Sequence, residues 1–204
     1  RRLEKVSETF ISAKNILENK KLLKIISFLL KGRSMLFKDK LNFKLPGGKG
    51  FEPHIDGHFS WKDKNKKLQK GWKVYANDFL NVVIPLEKTN KSNGCIYLSD
   101  LASTRKYLGN NWNKINNKLE SLTPKVKKKY LKSFKFKAIE QNPGDILFFN
   151  WKNVHLSKKN NTNKSRMIFY GTFAKKNKSK KNIRSKYYAD KSDSKNPLAY
   201  KSIN

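Results

Sequence analysis

The first part of the chain carries apolar side chains at helical spacing. Val6, Phe10 and Leu17 belong to a series of apolar residues that recurs every three to four positions. This period is typical of amphipathic helices that cover an apolar core. We therefore predict two helices within residues 3–30, in a helical N-terminal part that spans residues 1–32.

The pattern changes after Gly32, where short runs rich in Phe, Ile, Val and Tyr alternate with turn-forming residues. Such runs are typical of β-strands, and Gly, Pro, Asn and Asp between them favour tight turns. Many short strands with such turns predict a sandwich or a barrel. The predicted strands are 35–45, 51–61, 79–86, 95–98, 134–140, 145–151 and 166–173. The predicted turns are Pro46-Gly47-Gly48, Asn93-Gly94 and Pro143-Gly144-Asp145.

The chain length favours one compact domain, because 204 residues fit the usual size of a single domain. We assign residues 1–174 to this domain and interpret residues 101–132 as a helical or irregular insertion in it. Residues 175–204 are interpreted as a basic C-terminal tail. A dense run of lysines such as that in 175–186 is typical of a solvated segment.

The composition is strongly basic, with 47 Lys and Arg against 15 Asp and Glu and a formal net charge of +32 at pH 7. Such a charge attracts polyanions. Arginine, which forms the bidentate contacts of nucleic-acid-reading surfaces, occurs at only six positions, and the lysines are scattered. We therefore expect no specific nucleic-acid partner. No apolar run is long enough for a membrane span, and the single cysteine, Cys95, favours a reducing, cytoplasmic location.

Three histidines provide the candidate metal chemistry. His54 and Asp56 lie two residues apart on a predicted strand, so their side chains share a face and can converge on one ion. His58 has the same parity, but on an extended strand it would lie about 13 Å from His54, too far to bind the same ion. A third ligand must come from a distant segment, and His155 is the remaining imidazole. Two histidines and one carboxylate are the ligand set of non-haem Fe(II) sites. Taken alone, a His-x-Asp triplet also fits the polar end of a strand.

Residues 142–157 strengthen the metal interpretation. This segment has a Pro-Gly-Asp turn, an apolar run and then His155; Ser157 follows two residues later and Arg166 eleven residues later. Together with the upstream His-x-Asp motif, this order resembles the phytanoyl-CoA dioxygenase-like branch of the Fe(II)/2-oxoglutarate oxygenases. The resemblance extends over residues 35–173. It implies a mostly β fold with N-terminal helices and a double-stranded β-helix (jelly-roll, cupin-like) core.

The resemblance also implies a role for each matched residue. His54, Asp56 and His155 would hold Fe(II), and Arg166 would bind the remote carboxylate of 2-oxoglutarate. A guanidinium group suits that task because it binds a carboxylate bidentately and stays charged when buried. The reaction implied consumes O₂ and 2-oxoglutarate, releases succinate and CO₂, and hydroxylates a substrate carbon. The residues matched to the co-substrate pocket are Ser157, Asn42 and Phe51, of which Asn42 could also be a turn amide and Phe51 a core aromatic residue.

A finer similarity concerns residues 36–54, which are similar to the approach to the metal strand in organophosphonate dioxygenases of the 2-aminoethylphosphonate type. A small anionic or zwitterionic substrate, with an organophosphonate favoured, is therefore expected. The presence of Asp56 argues against the halogenating relatives, in which a small residue replaces the carboxylate. The substrate candidates are His58, which could also be a structural histidine, Trp61, Tyr75 and the insertion around Trp112.

Two alternative functions stay open. One is a non-catalytic jelly-roll binding protein with a relic metal site, which the presence of all three ligands and of Arg166 disfavours. The other is a nucleic-acid-modifying oxygenase of the same superfamily, which the net charge of +32 suggests. Base demethylases usually carry a second arginine close to the first, whereas the next arginine after Arg166 here is Arg184. The oligomeric state is not predicted.

Overall fold

The computed structural model describes residues 2–58, 61–62, 65–69, 71–108, 125–177 and 182–192. A 3₁₀ turn occupies Gly71–Val74. The helices are α1 (Val6–Thr9), α2 (Ile11–Leu17), α3 (Lys20–Leu29), α4 (Leu101–Leu108), α5 (Lys128–Leu131) and α6 (Ile183–Ser192). The strands are β1 (Arg2–Glu4), β2 (Ser34–Lys44), β3 (Phe51–His54), β4 (Trp61–Lys62), β5 (Leu68–Gln69), β6 (Phe79–Pro85), β7 (Ile96–Leu98), β8 (Lys137–Ile139), β9 (Leu147–Asn150), β10 (His155–Ser157) and β11 (Arg166–Lys175).

The strands form two larger sheets and a short hairpin. One sheet has five strands in the order β1-β2-β11-β6-β9, and the other has four in the order β3-β10-β7-β8. Strands β4 and β5 pair as the hairpin. All the pairings are antiparallel. The predicted mostly β fold with N-terminal helices is thus confirmed.

Apolar side chains cover both faces of the five-stranded sheet. Val83 and Ile168 on one face pack with Ile96 of the four-stranded sheet, so this cluster lies between the two sheets. On the opposite face, Leu17 and Phe169 belong to a cluster that joins the N-terminal helices to the sheet. Burying one such side chain contributes about 1.5–3 kcal/mol. The two clusters therefore fix both the sheet-to-sheet and the helix-to-sheet contacts.

The N-terminal part differs from the prediction in two ways. Residues 2–4 form β1, which pairs with β2, and three helices follow instead of two. The extended backbone of Phe10, with φ of −115°, separates α1 from α2. Asn19 begins α3, because its side chain accepts hydrogen bonds from the backbone N–H groups of Lys21 and Leu22.

The predicted strand 51–61 is wrong beyond His54, where β3 ends. The next residues turn, and Gly57 adopts a positive φ of 63°. A Cβ atom at Gly57 would clash with the ring of Trp72, so only glycine fits at this turn. His58 therefore does not continue the strand that carries His54.

The expectation of a solvated C-terminal segment is wrong for α6. Tyr187 of this helix is buried and packs on Phe37 of β2, with 4.6 Å between the ring centroids. Arg184 forms an ion pair of 2.7 Å with the buried carboxylate of Asp39. An aromatic contact and a buried ion pair thus attach α6 to the sheet. Residues 178–181 and 193–204 of the predicted tail lie outside the described residues.

The predicted insertion, residues 101–132, contains α4 and α5. Residues 109–124, and with them Trp112, lie outside the described residues. Within the described ranges, the helices are all too short or too polar to cross a lipid bilayer.

Candidate metal centre and co-substrate pocket

The side chains of His54, Asp56 and His155 converge in the structure. His54 ends β3 and His155 begins β10, and the two residues are direct partners across these strands. Their ring centroids lie 4.2 Å apart. The Asp56 oxygens lie 4.0 Å from Nε2 of His54 and 3.7 Å from Nε2 of His155. One ligand atom from each residue falls within 4.8 Å of the others, so the three predicted ligands lie close enough to share one ion.

Backbone carbonyl groups orient both imidazole rings. Nδ1 of His54 lies 2.7 Å from the carbonyl oxygen of Glu52, and Nδ1 of His155 lies 3.0 Å from that of Asn153. A carbonyl oxygen can only accept, so Nδ1 of each ring carries the proton and donates it. The Nε2 atoms, which can bind a metal when the rings are neutral, lie on the side of Asp56. This arrangement is typical of metal-binding histidines.

A polar network that the sequence did not predict holds Asp56. Nδ2 of Asn81 donates a 2.8 Å hydrogen bond to Oδ2 of Asp56. The hydroxyl of Thr172 donates a 2.8 Å hydrogen bond to Oδ1 of Asn81, which fixes the amide orientation. Both residues are buried and lie on neighbouring strands β6 and β11. Because Asn81 sits inside the apolar run of β6, its spacing gave no sign of a polar role.

The charges around the triad favour the metal-ligating protonation states. Burial lowers the pKa of His54 to about 3, and the neighbouring His155 acts in the same direction. Burial alone would raise the pKa of Asp56, but His155, Lys38, His54 and Lys40 together lower it to about 2. At neutral pH His54 is therefore neutral and Asp56 is ionised, as metal binding requires.

Arg166 opens β11 and is only 3% exposed. Its Nε donates to the carbonyl oxygen of Asn93 at 3.2 Å, and one terminal nitrogen donates to that of Gly94 at 2.7 Å. Arg166 also acts on Tyr170: burial raises the pKa of the Tyr170 hydroxyl, and the charge of Arg166 offsets part of this rise. A guanidinium group has five N–H donors, so donors remain for a carboxylate ligand.

The other predicted pocket residues lie around Lys44, which the sequence did not predict. Nζ of Lys44 donates to Oγ of Ser157 at 2.9 Å and to the carbonyl oxygen of Lys158 at 2.6 Å. The backbone N–H of Phe51 donates to the same Ser157 oxygen at 3.2 Å, while the Phe51 side chain is 49% exposed. Oδ1 of Asn42 is buried without a hydrogen-bond partner among the described residues. Such an atom is rare in a folded protein and marks a place where a ligand can bind.

Two further lysines that the sequence did not predict, Lys38 and Lys40, lie on β2 at positions that alternate with the buried Phe37 and Asp39. Both are half-buried and lie close enough to Asp56 to lower its pKa. Lys40 lies two residues and Lys38 four residues before Asn42, and this even spacing was the available signal, because alternate residues of a strand share a face.

The predicted substrate residues His58 and Tyr75 contact different parts of the protein. His58 stacks on Trp151, with 6.1 Å between centroids, and burial lowers its pKa to about 4. The hydroxyl of Tyr75 donates a 2.8 Å hydrogen bond to Asp190 of α6. Tyr75 lies in an apolar cluster rather than with the triad, so the structure does not support it as a substrate contact. The side chain of Trp61 lies outside the described part of the chain.

The donor set fits a non-haem iron and a dicarboxylate co-substrate. Two imidazole nitrogens and one carboxylate oxygen are the facial ligand set of Fe(II) oxygenases. Arg166 offers the charged N–H donors that a carboxylate needs, and the unpaired Oδ1 of Asn42 can accept a hydrogen bond from a donor group of a ligand. These residues are therefore chemically able to hold Fe(II) and 2-oxoglutarate.

Comparisons with known proteins agree with this geometry. The family model described as "Phytanoyl-CoA dioxygenase (PhyH)" matches residues 7–168. The dioxygenase lolE1 of Epichloe uncinata is 24% identical over 186 residues, which cover 91% of this chain and 63% of that protein. The 2-aminoethylphosphonate dioxygenase of the uncultured bacterium HF130_AEPn_1 is 26% identical, with 82% of this chain and 55% of that protein covered. The methylphosphonate hydroxylase of Gimesia maris is 24% identical, with 78% and 51% covered. The chain thus spans between half and two thirds of the length of these relatives.

Solved structures confirm the fold. EctD from S. alaskensis, solved with 2-oxoglutarate and 5-hydroxyectoine, aligns with a TM-score of 0.62 at 14% identity, over 86% of this chain and 56% of EctD. The epimerase SnoN, solved with Fe3+, alpha ketoglutarate and nogalamycin RO, aligns with a TM-score of 0.62 at 12% identity, over 85% of this chain and 62% of SnoN. These alignments confirm the predicted double-stranded β-helix fold.

Proposed function

The chain belongs to the phytanoyl-CoA dioxygenase family, and on this basis we propose that it is an Fe(II)- and 2-oxoglutarate-dependent dioxygenase. The observation that carries the proposal is the convergence of His54, Asp56 and His155 within 4.8 Å. The buried guanidinium group of Arg166 supports it, because this cation suits the remote carboxylate of the co-substrate.

In this proposal, iron and 2-oxoglutarate, when bound, supply the oxidising chemistry with O₂: one oxygen atom enters a substrate C–H bond as a hydroxyl group, and the other enters the succinate formed with CO₂. The protein binds, orients and shields the reactants. Nε2 of His54, Nε2 of His155 and an oxygen of Asp56 hold the metal on one face.

The co-substrate is oriented at its far end. Arg166 binds the remote carboxylate in this proposal, and Ser157 and Asn42 line the same part of the pocket. Lys44 adds a second positive charge beside Arg166, since the two residues are partners across β2 and β11. Both cations lie between the sheets rather than on the surface, where water would weaken the attraction.

The substrate is proposed to be a small anionic or zwitterionic molecule, and an organophosphonate is favoured. Two of the relatives are named for phosphonates, 2-aminoethylphosphonate and methylphosphonate. The net charge of +32 supports the same class, because a positive field raises the encounter rate with small anions. That attraction is expected to weaken as salt is added.

The first experiment is an anaerobic titration of the purified protein with Fe(II) and then 2-oxoglutarate. The chelated complex gives a weak visible charge-transfer band, which wild type is expected to show and His155→Ala to lose. The matched control is His58→Gln, which removes the one histidine outside the triad and is expected to keep the band. Succinate release with aminoalkylphosphonates then identifies the substrate. Absence of the band in wild type would overturn the proposal and favour a non-catalytic binding protein.

A further inference from the structure

Strand β2 presents a row of polar side chains towards the triad. Lys38, Lys40, Asn42 and Lys44 alternate along it, so they share one face. In β11, Thr172 is the direct partner of Lys38 and Tyr170 that of Lys40. Thr172 is hydrogen-bonded to the Asn81 amide, which in turn holds Asp56. Lys38 therefore lies at the same position along the sheet as this metal ligand.

The two lysines and the triad act on one another electrostatically. The carboxylate of Asp56 raises the pKa of both ammonium groups, and they lower the pKa of Asp56 in return. Lys40 also lies close enough to His54 to lower its pKa.

The two ammonium groups rest on aromatic rings. Nζ of Lys38 lies 3.9 Å from the ring centroid of Trp72, and Nζ of Lys40 lies 4.9 Å from that of Tyr170. Among the described residues, neither ammonium group has a carboxylate within 4 Å. Burial is the main cause that lowers the pKa of each lysine, and the charge of Lys40 lowers that of Lys38 further.

Other buried lysines of the same chain are compensated differently. Lys191 pairs with Glu4 at 2.5 Å, and Lys44 donates hydrogen bonds to Ser157 and to Lys158. Two neighbouring cations in a partly dry space repel each other and are costly without an anion. Among the described residues, Lys38 and Lys40 therefore form a site whose two positive charges are not neutralised by a carboxylate within ion-pair distance, although Asp56 and Glu4 act on them from farther away.

2-Oxoglutarate alone is too short to neutralise the positive charges along the whole row. Along an extended strand, the Cα atoms of Lys40 and Lys44 are about 13 Å apart, and those of Lys38 and Lys44 about 20 Å. The five-carbon chain of 2-oxoglutarate has four C–C bonds of about 1.5 Å, so its ends lie within about 6 Å. A diacid anchored at Arg166, the partner of Lys44, can reach the metal but does not extend along this whole row.

We propose that Lys38 and Lys40 bind the dianionic tetrahedral head group of the substrate, a phosphonate or a phosphate monoester, and hold its carbon chain at the metal. This inference rests on the proposed function and assigns its substrate site. Each ammonium group carries three donors and suits the oxygens of such a head group as a point charge. The Trp72 and Tyr170 rings limit where the ammonium groups can lie, which sets the head-group position.

The test compares Lys38→Met and Lys40→Met with wild type, each loaded anaerobically with Fe(II) and 2-oxoglutarate. Methionine keeps the apolar stem and removes the charge. Calorimetric titration with methylphosphonate is expected to give a Kd raised about tenfold or more in each variant, as for loss of one charged hydrogen bond. Methanesulfonate, a monoanion of the same shape, is expected to bind wild type weakly. Lys137→Met, at an exposed position of β8, is the matched control and should bind as wild type does.

Two additional measurements separate the possible outcomes. The affinity for 2-oxoglutarate, followed by the visible band, is expected to stay within about twofold in every variant, and Lys40→Arg is expected to restore most methylphosphonate binding. Unchanged methylphosphonate affinity in both methionine variants would overturn the substrate site while the proposed function stands. A loss of 2-oxoglutarate affinity instead would assign the lysines to the co-substrate and overturn the inference. If wild type forms no band, the proposed function fails first and the inference with it.

Discussion

Lys44 and Arg166 are direct partners across β2 and β11, and both donate hydrogen bonds to the carbonyl oxygen of Gly94, at 3.4 and 2.7 Å. Burial and the charge of Arg166 lower the pKa of Lys44 to about 8. One of the two cations is therefore permanent, while the other is lost within the range in which enzymes are commonly assayed.

This pairing predicts a pH dependence of co-substrate binding. Below pH 8 Lys44 is protonated and adds its charge to that of Arg166, and as the pH rises through 8 this charge is lost. The Kd for 2-oxoglutarate should therefore rise about fivefold between pH 7 and pH 9.5, or by about 1 kcal/mol. Anaerobic titrations that follow the visible band measure it.

The matching variant is Lys44→Met, which should bind 2-oxoglutarate more weakly than wild type at pH 7 and show little change up to pH 9.5. Lys49→Met, at an exposed position in the loop after β2, should keep the wild-type profile. If Lys44→Met retained the full pH dependence, another group would be responsible.

Loss of Arg166 should separate co-substrate binding from metal binding. Arg166→Ala is expected to raise the Kd for 2-oxoglutarate about a hundredfold, or about 3 kcal/mol, because a buried carboxylate loses its charged partner. Metal affinity should change little, since Arg166 is not among the ligands. Arg33→Ala, at an exposed arginine, is the control.

The alanine variant also leaves the carbonyl groups of Asn93 and Gly94 without their donor, so Arg166→Lys is a useful second variant. It keeps the charge without the planar fork, and its Kd should lie between those of wild type and Arg166→Ala. An unchanged Kd for 2-oxoglutarate in both variants would show that the carboxylate pocket lies elsewhere.

The sequence predicted the metal ligands because their signal is local. His54 and Asp56 are two residues apart, and His155 lies in a segment with a specific motif order. Their convergence depends on the pairing of β3 with β10. The sequence pattern predicted β-strands but did not determine which strands pair. The strand containing His54 was predicted too long, because the need for glycine at Gly57 depends on the Trp72 ring that packs there.

Lys38 and Asn81, which lie beside the metal ligands, were not predicted from the sequence, for physical reasons. The inward direction of Lys38 depends on which face of β2 the helices cover, and the register of β2 with β11 shifts between Thr172 and Phe173. In the sequence, Asn81 is a single polar residue within an apolar strand, and its contact with Asp56 is visible only in the folded structure. Such assignments need the sheet order, which hydrophobic spacing alone does not provide.

Tyr75 should act on stability rather than on catalysis. Burial and the Asp190 carboxylate raise its pKa, so the hydroxyl stays protonated and donates. Tyr75→Phe is expected to lower the free energy of unfolding by about 1–2 kcal/mol, measured by urea denaturation, with Fe(II) and 2-oxoglutarate binding unchanged. A double-mutant cycle with Asp190→Ala should show coupling of that size. A rise in the KM for the substrate alone, with unchanged stability, would instead show that Tyr75 contacts the substrate.

Asn81 should control metal affinity through Asp56, although it is not itself a ligand. Asn81→Leu keeps the branched shape of the side chain but removes the hydrogen bond that fixes the Asp56 carboxylate. Loss of such a contact typically lowers metal affinity about 10- to 100-fold, and competition for Fe(II) against a chelating dye under argon measures this change.

The matched variant for Asn81→Leu is Thr172→Val, which removes only the hydrogen bond that orients the Asn81 amide and should weaken Fe(II) binding less. If both residues act through Asp56, the double variant should bind Fe(II) no more weakly than Asn81→Leu alone. In the double variant there is no Asn81 amide for the Thr172 hydroxyl to orient. Additive losses, or a lowered unfolding midpoint with unchanged Fe(II) affinity, would mean that Asn81 stabilises the sheet and does not position the ligand.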